Sequence, residues 1–202
     1  PGVTVGTDAV VTAGSVVTGG LSIGSSGRYE MSGGTLDLDH LSLAGELDFA
    51  GSAISLNWGN ATVDLSSGNV RNASGVSLAL GEQSLLIIPS GFDPQQVFAN
   101  VNTTGLVHVR GTVLTIPAGA SHVLAGTFTD PIHVEGTLTA PAVDPLTLTG
   151  GITVAGDGWV DLGGGTLKVN DASSALSGGY LRTGRTEIGA GTGGTFTQTG
   201  GE

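Results

Sequence analysis

Apolar and polar residues alternate along this chain in short runs, most of them opened by one or two glycines. Gly34-Thr35-Leu36-Asp37-Leu38, Gly45-Glu46-Leu47-Asp48-Phe49, Gly165-Thr166-Leu167-Lys168-Val169 and Gly194-Thr195-Phe196-Thr197 are examples. A period of two places the aliphatic residues on one face of a strand and Asp, Lys or Thr on the other. Glycine supplies the positive φ that a tight corner needs. Helical periodicity is almost absent. One exception is expected at Asp93–Ala99, where Pro94 suits the first position of a helix.

The runs recur. Glycines at 151, 165, 179 and 194 are spaced by 14, 14 and 15, and Gly20 to Gly34 is again 14. Ile88-Pro89-Ser90-Gly91 returns as Ile116-Pro117-Ala118-Gly119, 28 residues on. Val107-His108-Val109-Arg110-Gly111-Thr112 returns as Ile132-His133-Val134-Glu135-Gly136-Thr137, 25 residues on. Fixed-period repetition is the mark of a solenoid, whose coils must pass the same corners each time. These offsets predict an all-β, right-handed parallel β-helix with coils of 25–29 residues. They place Val107, Val109, Leu114 and Ile116 inside, near Ile132, Val134, Leu146 and Leu148. They also put Arg110 beside Glu135 and His108 beside His133 on the outer face. The chain is read as one domain over 1–202, with less regular coils and an inserted loop, Gly91–Gln96, over 53–104.

Composition narrows the class. There are 37 glycines among 202 residues without a three-residue period, which excludes collagen. Only 11% of residues are charged, and Val, Ile, Leu and Thr abound, which argues against disorder. The net charge is −11, with six basic residues scattered at Arg28, Arg71, Arg110, Lys168, Arg182 and Arg185. No basic patch exists for nucleic acid or an anionic membrane. The absence of cysteine removes disulfides, thiolate metal sites and cysteine nucleophiles. No run approaches the ~20 apolar residues of a membrane helix, so no membrane insertion is expected. Both ends are read as boundaries inside a longer protein.

With the repeats laid out, Met31-Ser32-Gly33-Gly34-Thr35-Leu36 and Gly193-Gly194-Thr195-Phe196-Thr197-Gln198-Thr199-Gly200-Gly201 resemble the glycine-rich β-helical repeats of bacterial adhesins, autotransporter passengers and large exported surface proteins. The resemblance implies a secreted or cell-surface location and carries over no catalytic residue. A second, shorter resemblance covers residues 1–30. Val5, Val11, Val17, Ile23 and Tyr29 are spaced by six, as in the hexapeptide repeat of left-handed β-helix acyltransferases. The catalytic histidine of those enzymes has no counterpart there; the nearest is His40.

Few residues are candidates for chemistry. Asp37, Asp39, His40, Glu46 and Asp48 form the densest acidic stretch, and catalysis on a β-helix needs such carboxylates gathered on consecutive coils. Alternation alone also predicts them as solvating residues. Asp37, Asp39 and Asp48 are the candidates for calcium, a hard cation that takes six to eight oxygens. The Gly-Gly-x-Gly-x-Asp pattern of calcium β-rolls is missing, and no cofactor is expected. His108 and His133 are too few for zinc. Trp159 and Asp161, outward beside inward Val160 and Leu162, are candidates for a carbohydrate contact, with Trp58 a third. The function expected is a non-catalytic structural or adhesive rod that meets glycans, host or cell-surface molecules, or copies of itself. The alternatives are a carbohydrate-binding or polysaccharide-cleaving β-helix and a filament subunit assembled end to end.

Overall fold

The computed structural model describes residues 2–11, 15–142, 146–169, 173–188 and 193–202. They form two compact units, Pro1–Arg110 and Gly111–Glu202. Each is a parallel β-solenoid, as the alternating runs predict. Among the described residues every strand pairing is parallel except one isolated antiparallel bridge, Gly150 with Val169.

In the first unit the largest sheet stacks six strands: Gly2–Val5, Ser15–Ile23, Thr35–Leu43, Thr62–Asp64, Leu85–Ile88 and Leu106–Val109. A second face stacks Asp8–Val11, Arg28–Met31, Glu46–Asp48 and Asn69–Arg71, and a third stacks Ile54–Trp58, Val76–Leu80 and Asn100–Thr103. Successive inward residues fall over one another in ladders such as Ile54 and Val76, Leu56 and Leu78, or Tyr29 and Leu47. Phe49 and Phe98 meet edge to face at 6.5 Å. The loop before Phe98 holds the one helix among the described residues, Pro94–Val97. Pro94 sits in its first turn and the Asp93 side chain accepts from the Gln95 amide at 3.0 Å.

In the second unit five strands stack as Leu114–Ile116, Ile132–Val134, Ile152–Val154, Ser173–Leu176 and Thr195–Gln198. Ser121–Val123, Thr137–Thr139, Trp159–Asp161 and Tyr180–Arg182 form the next face. Thr127–Phe128, Thr147–Leu148, Thr166–Val169 and Arg185–Ile188 form the third. Leu114, Ile132 and Ile152 make one buried ladder, and Ile116, Val134, Val154 and Leu176 another. Each fully buried aliphatic contributes about 1.5–3 kcal/mol by leaving water.

The step along the stack is shorter than the phrase offsets suggested. Gly2 faces Gly20, Ser15 faces Thr35 and Leu85 faces Leu106. In the second unit Leu114 faces Ile132 and Ile132 faces Ile152. Paired residues therefore lie 18–23 apart in the first unit and 16–22 apart in the second. The offset of 28 has a local cause instead. Both Ile-Pro-x-Gly phrases end a strand and enter the same turn. Phe92 N–H donates to Pro89 O at 3.2 Å and Ala120 N–H to Pro117 O at 3.0 Å. The third turn residue is a left-handed glycine in both, Gly91 at φ 79° and Gly119 at φ 83°. The repeated phrase marks a corner, not a period.

The shorter step corrects the predicted pairs. Leu114 and Ile116 stack on Ile132 and Val134 as expected. Leu146 and Leu148 are buried too, but Leu148 stacks between Phe128 and Leu167 on another face. Val107 is 49% exposed and pairs with Leu86, while Val109 is half-buried over Ile88. His108 turns inward over Ile87, and His133 turns outward between Thr115 and Thr153. The like-lettered phrases thus have opposite phase, because a strand displaced by one residue presents its other face. Arg110 pairs with Asp64, and the neighbour of Glu135 is His133, whose Nε2 lies 3.4 Å away. Of the series spaced by six, Val5, Ile23 and Tyr29 are buried; the side chains of Val11 and Val17 lie outside the described residues.

Candidate functional site

Two outer surfaces gather side chains capable of chemistry, one in each unit. The first lies on strands Arg28–Met31, Glu46–Asp48 and Asn69–Arg71. All three read polar, apolar, polar. Tyr29, Leu47 and Val70 form the middle row, which turns inward. The outward rows are then Arg28, Glu46, Asn69 and Glu30, Asp48, Arg71. Register alone brings opposite charges together across strands.

Arg28 sits at the centre. Its Nε donates to Glu46 Oε1 at 2.8 Å, and its Nη2 lies 2.7 Å from Asp48 Oδ2 and 2.6 Å from Glu30 Oε2. Arg71 Nε reaches the other oxygen of Glu46 at 2.7 Å. Asp48 is buried, and its Oδ1 accepts from the Ala50 amide and from Asn72 Nδ2, both at 2.8 Å. Ala50 and Asn72 both hold left-handed backbone, at φ 49° and 54°. The one carboxylate thus pins two unusual corners on successive coils. Burial pushes the Asp48 carboxyl up, but the hydrogen bonds from Arg28, Asn72 and Ala50 outweigh it and hold the group below the usual carboxylate range. The same contacts, that with Asp48 foremost, hold the Arg28 guanidinium above its ordinary value.

A depressed carboxylate stabilises the fold above its unfolded value and loses that contribution as pH falls through the folded value. Stability is therefore expected to decline in acid, from about pH 4 downward. Asp48→Ala is expected to cost about 2 kcal/mol at neutral pH, the worth of hydrogen bonds to a charged group, and to flatten the acid limb. Urea unfolding of both forms from pH 7 to pH 2 checks this. A wild-type slope that persists in the variant would assign the acid sensitivity elsewhere.

The acidic stretch seen in the sequence does not converge. Asp37 and Asp39 are exposed on strand Thr35–Leu43, with Leu36 and Leu38 inward, as alternation predicts. A corner at Ala44-Gly45 then carries the chain to a different face, where Glu46 and Asp48 are held by arginine. Asp37, Asp39 and Asp48 therefore build no shared calcium site. Among the described residues no group of three His, Cys, Asp or Glu side chains could hold a metal ion.

The second surface lies on strands Trp159–Asp161 and Tyr180–Arg182, which pair residue for residue. Val160 is fully buried, leaving Trp159 and Asp161 on the outer side as expected. Trp159 stacks on Tyr180 with ring centroids 4.1 Å apart and planes 16° from parallel, yet stays 46% exposed. Beside them Arg182 Nε donates to Asp161 Oδ1 at 3.0 Å, and its Nη2 engages Oδ2, a two-point grip. That grip holds the Asp161 carboxyl below its ordinary range and the Arg182 guanidinium above its own. The Gly163 amide adds a third hydrogen bond to Asp161, at 3.0 Å. Next to the pair opens a cleft of about 350 Å³, lined by Ala140, Ala142, Gly163, Gly164 and Thr183.

Trp58 contributes nothing to this surface. It is 2% exposed, and its indole Nε1 donates to Leu36 O at 2.8 Å, as a core tryptophan must when its N–H leaves water. Tyr180 and Arg182 were missed by sequence reasoning, although a signal existed. Gly158-Trp159-Val160-Asp161 and Gly179-Tyr180-Leu181-Arg182 share a glycine, aromatic, aliphatic, charged order 21 residues apart, with opposite charges.

No protein-family model, no curated protein and no solved structure matches the chain. The likeness to adhesin and autotransporter repeats rests on its glycine-rich phrases alone, and the β-solenoid is the statement that stands.

Proposed function

We infer that the chain is a structural or adhesive segment of a secreted or cell-surface bacterial protein and catalyses no reaction. One observation carries this reading: four of the six basic residues, Arg28, Arg71, Arg110 and Arg182, are engaged in holding one coil to another. Arg28 and Arg71 bind Glu46, Arg110 binds Asp64, Arg182 binds Asp161 and Arg185 binds Glu187, with Lys168 the register partner of Glu187. Four of these ion pairs join different coils. Charges matched in this way fix register and oppose slippage. A catalytic centre instead gathers unlike groups with perturbed acidity in a pocket open to substrate. Stacked coils give a stiff surface on which outward residues repeat at the strand spacing, which suits spacing and attachment.

The test is incubation of the purified chain with pectin, alginate, chitin and peptidoglycan fragments. The expected result is no soluble product from any of them. Turnover that disappears on changing Asp37, Asp39 or Asp48 to Asn would replace this reading with a polysaccharide-cleaving one.

A further inference from the structure

We propose that Trp159, Tyr180, Asp161 and Arg182 form a saccharide-binding site that takes a neutral pyranose against the uncovered face of Trp159, a proposal that rests on the adhesive reading above. The aromatic pair is not needed to close the core. Val160 within the strand and Leu162 just after it supply the buried contacts here, and both are fully buried. Tyr180 covers one face of the indole, but nearly half of Trp159 remains in water. The register partner on its other side is Thr137, outward from buried Leu138 and too short to cover an indole. With strands ~4.8 Å apart, the space over Thr137 is about as thick as one flat six-membered ring. A pyranose placed there continues the stack as a third ring.

The chemistry of the neighbours suits that occupant. A pyranose presents an apolar face of C–H groups and a rim of hydroxyls. The indole takes the face. Asp161 and Arg182 lie one outward position along the same strands, ~7 Å from the rings, where hydroxyls on the rim arrive. The carboxylate offers acceptors and the guanidinium donors, and their mutual grip fixes both before a ligand binds. The adjoining cleft has a floor of Ala140, Ala142, Gly163 and Gly164, residues small enough to admit a second sugar unit. A ring flanked by a few fixed polar groups is the usual composition of a small-molecule site.

Charge selects the class of ligand. The Asp161–Arg182 pair is neutral as a unit, so it offers no surplus cation to a uronate or sulfate. A nucleobase also stacks on indole, but its phosphates would meet a chain of net charge −11. A neutral glycan brings no such penalty.

Intrinsic fluorescence tests the proposal, because Trp58 is buried and Trp159 alone of the two tryptophans is open to a ligand. The purified chain is titrated with cello-, xylo-, malto- and chito-oligosaccharides, with polygalacturonate as the charged comparison. A saturable change with at least one neutral oligosaccharide is expected. Trp159→Ala should weaken retention on the matching insoluble polysaccharide by at least about tenfold, the scale of losing one stacked ring. Its melting temperature should stay close to wild type, and Trp159→Phe should recover part of the binding. Undiminished retention of a folded Trp159→Ala protein, no response to any neutral sugar, or a preference for polygalacturonate overturns the proposal. Attachment of the wild-type chain to cells before and after glycosidase treatment separates the two readings. Attachment that survives glycan removal leaves the adhesive reading standing without the saccharide site.

Discussion

Val134→Asp is expected to unfold the second unit. Val134 is fully buried between Ile116 on one coil and Val154 on the next, in a ladder that ends at Leu176. No basic side chain stands in that ladder to pair with a carboxylate. The new group must therefore take a proton, draw water in or break the stack, a cost of at least about 4 kcal/mol. Native stability is only about 5–15 kcal/mol for a domain, so the loss should appear as a collapsed melting transition in circular dichroism. Thr153→Asp is the matched control. It lies one residue away from Val154 on the outer face, paired with His133 and Ala175, and should cost about 1 kcal/mol or less. If both variants melt alike, the inward and outward assignment of these two paired strands is wrong.

The alternation that makes Val134 inward was plain in the sequence, and it placed most strands correctly. Leu36 and Leu38 are buried and Asp37 and Asp39 exposed, in the order the letters give. Val160 lies inward and Trp159 outward in the same way. Phase failed where a strand is buried throughout. Leu85–Ile88 has four buried residues, so its partner strand Leu106–Val109 is not constrained by alternation. His108 goes in and Val107 out, against the pattern.

The coil step was harder to see than the strands. Matching phrases do not mark equivalent positions on successive coils; Ile-Pro-x-Gly marks a type of corner that recurs wherever the chain needs it. Charge order was the better guide. Arg28-Tyr29-Glu30, Glu46-Leu47-Asp48 and Asn69-Val70-Arg71 already contain the ion-pair lattice, once they are placed side by side at steps of 18 and 23. Alternation also separates the two tryptophans: Trp58 shares the phase of Ile54 and Leu56 and lies inward, whereas Trp159 is opposite in phase to Val160 and lies outward.

Gly45→Ala is expected to destabilise the first unit by about 3 kcal/mol, while Gly59→Ala should be neutral or stabilising. The two glycines look alike in sequence, each beside a strand of alternating residues. Neither has positive φ, so conformational preference does not separate them. Space does. A Cβ built on Gly45 would overlap the carbonyl oxygens of Gly24 and Gly27, where the corner of one coil rests on the corner of the coil before. Those oxygens belong to the hydrogen bonds that close the corner. Gly24 O accepts from Gly27 N–H at 2.8 Å, and Gly27 O from Glu46 N–H at 2.9 Å. Both obstacles are backbone, which cannot rotate away as a side chain can, so the coils must part. They would part next to Glu46, which links Arg28 to Arg71. A Cβ on Gly59 meets nothing within 4 Å. There the substitution acts chiefly on the unfolded chain, removing backbone freedom worth about 0.4–1 kcal/mol. Chemical denaturation of the two variants should therefore move the midpoint in opposite directions, or leave it unmoved for Gly59→Ala. Equal destabilisation by both would mean that glycine is required at these corners for its backbone freedom and not for the contact between coils.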